Sequence, residues 1–268
     1  MTKGKKFFAY GFLSVISFLS VFPLYWMVVA ATNKSADVTS GTLVFGTALF
    51  DNMKKLFASQ NVTAAFLNSF KYSVIMTFMT LLVCSIAGYG FEVFHDKAKD
   101  RVMRVILLAM MVPFAATMIP LYQMVAAAGL LNSTLGFILP SIATPFLIML
   151  FRQSARAFPT DIIEAARIDG LSELQIFFQM FIPTMRSTYA AAMTITFMGA
   201  WNSYLWPKVI MSDADSITMP MLVANLTSGY VTDYGVLMLA VLVCTIPTVI
   251  IFFLLQRSFT EGITGAVK

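Results

Sequence analysis

Uncharged apolar runs, too long for the core of a soluble domain, leave this chain few folds to choose from. A helix needs about 20 mostly apolar residues to cross roughly 30 Å of hydrocarbon. Five runs reach that length between ionisable residues: 7–33, 72–91, 105–151, 187–207 and 234–256. The third is twice as long as a span. It contains a polar, glycine-bearing stretch, Gly129-Leu130-Leu131-Asn132-Ser133-Thr134, which has the chemistry of a turn between two helices. The pattern predicts an all-α integral membrane protein with six transmembrane helices, at about 7–31, 70–91, 105–124, 135–151, 187–207 and 234–256. The fourth is short and carries Pro140 and Pro145. Composition agrees: 59% of the residues are hydrophobic and 12% charged, about half the charged share of a soluble domain.

Lysine and arginine in short loops set orientation. With the N-terminus inside, thirteen fall on inner segments, and five (Lys34, Lys54, Lys55, Lys71, Lys208) fall outside. Both termini are therefore expected in the cytoplasm. The first run follows lysines, as a signal peptide does. It is too long for such a peptide's apolar region and shows no clear small-x-small cleavage site, so it reads as a retained span. The expected organisation is a first span and outer segment over 1–68, a core over 69–257 with a cytoplasmic loop at 152–186, and a tail over 258–268.

No ionisable residue lies well inside a proposed span, which weakens an ion-coupled transporter. There is no Gly-rich loop ending in Gly-Lys-Ser/Thr, so ATP hydrolysis by that route is excluded. The lone histidine, His95, sits in a charged inner loop and reads as solvated. Cys84 and Cys244, both in apolar runs, make neither a disulfide framework nor a metal cluster. The net charge of +5 is too scattered to argue for nucleic acid. No enzyme, cofactor or metal site is expected in the chain.

The cytoplasmic loop is the informative segment. Asp161 with Glu164 three residues later, behind Pro159, makes a capping-box pattern; Ser172 with Gln175 repeats it. Gly170 between them tolerates the positive φ that ends a helix, and Pro183 closes the second apolar run. Two short helices joined at Gly170 are predicted, facing the cytoplasm and too apolar to be left bare. They read either as a dock for a protein groove, with small Ala165 and Ala166 allowing close approach, or as helices lying against the bilayer or the bundle.

Here the sequence resembles a family. Glu164-Ala165-Ala166, then Gly170, then Met180 and Ile182-Pro183 is similar to the EAA loop of permeases of ABC importers, with Met180 and Ile182 as conservative departures from its usual ending. Gly129–Ser133, Phe151-Arg152-Gln153, Ile168-Asp169-Gly170, Trp201-Asn202 and the tail Glu261–Lys268 resemble the carbohydrate, maltose-type branch. The resemblance runs from about Phe7 to the end. It implies the type I importer permease fold, and half of a translocation pathway for a di- or oligosaccharide that switches between inward- and outward-facing states. It implies, as partners, a second permease subunit, a dimer of ATPase subunits that bind ATP and Mg, and an extracytoplasmic sugar-binding protein. Glu164, Ala165, Ala166, Asp169 and Gly170 would couple to the ATPase, Glu164 pairing with a basic group or serving as a plain cap. Glu261, Gly262 and Gly265 would lie along the ATPase interface or fray.

On the outer side, Trp201, Asn202 and Tyr204 are candidates for the substrate pathway, since aromatic faces and an amide suit sugars; an aromatic belt at the membrane surface is the competing reading. Asp213 and Asp215 lie in a loop that would face the binding protein or act as a solvated connector. The rival functions are an ABC permease for another solute such as glycerol phosphate or a peptide, an ATP-independent channel or secondary transporter, and a scaffold without transport. The absence of a cationic residue in the spans favours a neutral solute.

Overall fold

The structure, a computed structural model, describes the backbone of residues 3–265 and the side-chain surroundings of residues 6–256. All regular structure among the described residues is helical. Among the described residues, three continuous helices are long and apolar enough to cross a bilayer, over Lys6–Ala31, Val62–Val93 and Tyr234–Gln256. They belong to α1 (Lys3–Ala31), α3 (Val62–Val93) and the last helix, α13 (Tyr234–Gly265). Between α1 and α3 lies the amphipathic α2 (Leu49–Ser59).

The other expected spans are interrupted, and proline chemistry accounts for where. The span expected over 105–124 is two helices, α4 (Lys97–Ala109) and α5 (Phe114–Ala127), which meet at 101°. Pro113 holds an extended conformation at the start of α5, and its ring disfavours a helical residue before it. The polar stretch after α5 is the predicted turn. Gly129 and Asn132 take positive φ, and Ser133 caps α6 (Thr134–Ile138) by accepting from the Gly136 amide. A tight turn, Leu139–Ser141, absorbs Pro140. The helix then bends by 54° at an extended Thr144, which precedes Pro145 at the start of α7 (Pro145–Arg156).

Next come the two short helices of the loop at 152–186, α8 (Thr160–Ile168) and α9 (Glu173–Ile176), then α10 (Arg186–Trp201). The apolar run expected to continue to 207 breaks at Asn202–Tyr204, and α11 (Leu205–Ile210) follows. A helix through this point would set the Pro207 ring against the Ser203 carbonyl. α12 (Met219–Leu226) precedes α13.

The chain forms two compact units. One holds the chain up to Thr63 with Met221–Pro247; the other holds Ala64–Pro220 and the chain from Thr248. In the first, Asn52 is buried and donates to the carbonyls of Ala31, at the end of α1, and of Asn33 just beyond it. Gly235 packs so closely there that a Cβ would sit 2.4 Å from the Asn33 oxygen. Lys55 pairs with Asp233 at 2.9 Å. In the second, α3 and α7 touch at Gly88, where a Cβ would lie 2.6–2.9 Å from Phe151, Arg152 and Ile148.

Candidate functional site

The loop pair is built by its caps. α8 starts at Pro159, extended and without a side-chain cap, so Asp161 lies in the first turn rather than capping it. There its charge meets the positive end of the helix. At the other end the Leu171 amide bonds the Ala166 carbonyl and the Gly170 amide bonds the Arg167 carbonyl. Gly170 holds φ +82°, as a Schellman ending requires. Ser172 and Gln175 then form a reciprocal capping box that opens α9.

Pro183 does not close the run. A wide π turn, Phe177–Phe181, carries the helix on to Thr184. The Ile182 amide reaches back five residues to the Phe177 carbonyl, which re-sets the ladder just before the residue that cannot donate.

The pair has an inner and an outer face. Ile163, Ala166, Ile176, Phe177 and Phe181 are buried with Tyr89, Ala155, Phe158 and Met185. The Tyr89 ring lies 5.3 Å from Phe177 and 5.0 Å from Phe181. Glu164, Ala165, Asp169 and Gly170 are exposed, so the two alanines divide: Ala166 turns into the chain's own core and Ala165 away from it. Ile168 is 86% exposed and Leu174 66%, so the joint between the helices presents bare apolar surface. Arg167 donates to Glu173 at 2.7 Å across the Gly170 turn, and a groove of about 230 Å³ beside Glu164 is floored by Phe158 and Ile163.

Beneath the pair lies an ionic clamp that the sequence did not single out. Arg152 on α7 is 4% exposed. Its Nε donates to Glu92 at the end of α3 (3.1 Å), and its Nη2 donates to Asp100 on α4 (2.6 Å). Glu92 also accepts from Arg156, and Asp100 meets the His95 ring at 3.0 Å. His95, expected as a solvated loop residue, is therefore half-exposed and paired. The Arg152 guanidinium, with His95, holds the Asp100 carboxyl below the usual carboxylate range, against a smaller opposing effect of burial. The charges were visible at the ends of the apolar runs; that three helix ends converge on one of them was not.

A second feature of the same unit is a cavity of about 550 Å³. Asn202 and Tyr204 line it, with Trp206. Trp201 does not: it is 1% exposed, with its ring stacked on Phe197 at 5.9 Å and edge-on to Phe66 at 5.5 Å. Asp213 and Asp215 are exposed on a loop that Asn132 holds by accepting from the Ser212 and Asp213 amides, while Asn68 donates to the Asp215 carbonyl. The surroundings of Glu261, Gly262 and Gly265 lie outside the described residues.

Comparison with known families matches residues 80–265 to the binding-protein-dependent transport system inner membrane component. The chain belongs to this family. It is therefore a permease subunit of an ABC transporter in the inner membrane. It is 49% identical over 259 residues to the lactose transport system permease protein of Rhizobium radiobacter, covering 97% of this chain and 95% of that one. It is 30% identical over 263 residues to the arabinooligosaccharides transport system permease protein of Bacillus subtilis, covering 96% and 94%. It is 31% identical over 276 residues to the sn-glycerol-3-phosphate transport system permease protein of Pectobacterium atrosepticum, covering 99% and 98%. A chain of a solved bacterial ABC transporter, involved in the import of the acidic polysaccharide alginate, shares the permease fold at TM-score 0.83 and 19% identity, covering 97% and 99%.

Proposed function

We propose that the permease forms half of the pathway of a binding-protein-dependent sugar importer and is moved by a separate ATPase that grips the helix pair at Gly170. The observation that carries this reading is the near full-length similarity, at 49% identity, to a lactose transport permease. The bare apolar joint at Ile168 and Leu174 supports the coupling half of it. Both termini lie in the cytoplasm, and the broken helix pairs together with α10–α11 complete six spans. Hydrolysis belongs to the partner ATPase, which holds ATP and Mg; this chain contributes no catalytic residue. Its partners are a second permease, the ATPase dimer and an extracytoplasmic sugar-binding protein that faces Asp213 and Asp215.

Glu164, Ala165, Asp169 and Gly170 make the contact, Ala166 anchors the pair from beneath, and Glu261, Gly262 and Gly265 run along the ATPase. In a complex purified with its ATPase, Gly170→Arg and Glu164→Lys should cut sugar uptake at least tenfold while the permease stays in the membrane. Normal uptake in both variants would remove the coupling role. Absence of any co-purifying ATPase would point instead to a channel or secondary transporter.

A further inference from the structure

The geometry points to the 550 Å³ cavity as a subsite for one neutral sugar ring on this subunit, an inference that rests on the sugar-import reading above. The cavity lies where three helices stop. Phe114 follows the break that opens α5, Ser141 and Thr144 flank the break that opens α7, and Asn202, Ser203 and Tyr204 are the break after α10. All these residues lie within one compact unit. An apolar layer tolerates irregular backbone only where protein or a polar cavity satisfies it, and interrupted helices are where membrane transporters place solutes. Depth agrees. At 1.5 Å per residue, the 16 residues of α10 rise only about 24 Å from Arg186, short of the roughly 30 Å a full crossing needs.

The size suits a small ligand, since such pockets run from about 300 to 1,000 Å³. The lining is the kind that holds a carbohydrate: aromatic walls for its C–H faces and a few fixed polar groups for its hydroxyls. Phe114, Phe137, Tyr204 and Trp206 supply the walls. Trp206 contributes its ring only, because its indole N–H donates to the Gly136 carbonyl at 3.1 Å. The Asn202 amide donates back to the Met198 carbonyl at 2.8 Å, which orients its oxygen as an acceptor. The Thr144 hydroxyl donates to the Ser141 carbonyl at 2.9 Å and keeps its acceptor lone pairs.

Charge sets the solute class. Among the described residues no Lys, Arg, His, Asp or Glu lines the cavity, so a phosphate or carboxylate would enter stripped of water and without a counter-charge. A relative at 31% identity is a glycerol-3-phosphate permease; this lining argues against that solute here.

The test is uptake into proteoliposomes holding the whole complex, with lactose, an arabino-oligosaccharide and glycerol 3-phosphate as probes. The expected result is uptake of at least one of the neutral sugars and none of glycerol 3-phosphate. Asn202→Ala and Thr144→Val should raise the apparent KM for that sugar at least threefold. Ser203→Phe, which fills the cavity, should cut uptake at least tenfold while the complex still assembles. If Ser203→Phe does not assemble, the two milder variants decide. Unchanged KM in both, with robust sugar uptake by the unaltered protein, would overturn the subsite and leave the importer standing. Uptake of glycerol 3-phosphate alone would overturn both.

Discussion

Arg152 shows how much one buried charge organises. It stands almost without solvent exposure between carboxylates from two other helices, and the rigid planar fork of a guanidinium presents separate N–H donors to each, where an ammonium is a compact point charge. Arg152→Met is expected to destabilise the purified protein by about 2–3 kcal/mol, the scale of lost hydrogen bonds to charged groups. Arg152→Lys should recover part of that. Thermal unfolding of matched preparations reads both, and an Arg152→Lys midpoint equal to that of the unaltered protein would count against the fork. Asn52 plays a comparable part in the other unit. Asn52→Ala would strand the carbonyls of Ala31 and Asn33, at about 1–3 kcal/mol for leaving buried polar groups unmet, visible in the same measurement.

Among the elements, the helix pair at Gly170 was readable because caps are local chemistry. Ser172, Gln175 and Gly170 act within five residues of one another, and each does what its spacing predicts. Asp161 failed as a cap because Pro159, already extended, took the boundary position. Ser172→Ala should cost about 1 kcal/mol and hasten amide exchange at Glu173–Gln175 while leaving α7 unchanged. The helix breaks were harder to read. Pro113, Pro145 and Pro207 coincide with interruptions, yet Pro23, Pro120 and Pro247 lie inside continuous helices. A proline weakens a helix locally, and packing decides whether the helix bends or parts. At the α3–α7 contact, Gly88→Val would force two backbones apart, with an expected loss of about 1–3 kcal/mol.

For the molecule as a whole, each compact unit carries a carboxylate held below its ordinary pKa of 3.8. One is Asp100, lowered chiefly by its bond to Arg152. The other is Asp233, where burial pulls upward but Lys55 and the amides of Val236 and Gly235 outweigh it. A depressed carboxylate stabilises the folded form fully above its unfolded pKa, and that contribution disappears as pH falls through the folded value. The thermal midpoint of the purified complex should therefore hold between pH 7 and about pH 5 and drop below about pH 4. Asp233→Asn should flatten part of the drop; an unchanged acid limb would show that other groups govern it.

Membrane residence, helical class and the capped helix pair at Gly170 were all legible in the linear order of residues, because each depends on run length, charge at run ends, or partners three to five residues apart. The ionic clamp and the cavity were not. Glu92, Asp100 and Arg152 come from separate helices, and Phe114, Thr144 and Asn202 meet only once three broken helices have packed. Trp201 and Trp206 make the same point: five residues apart and alike in composition, one is sealed in the core and the other faces the cavity, because the break at Asn202–Tyr204 turns the chain between them.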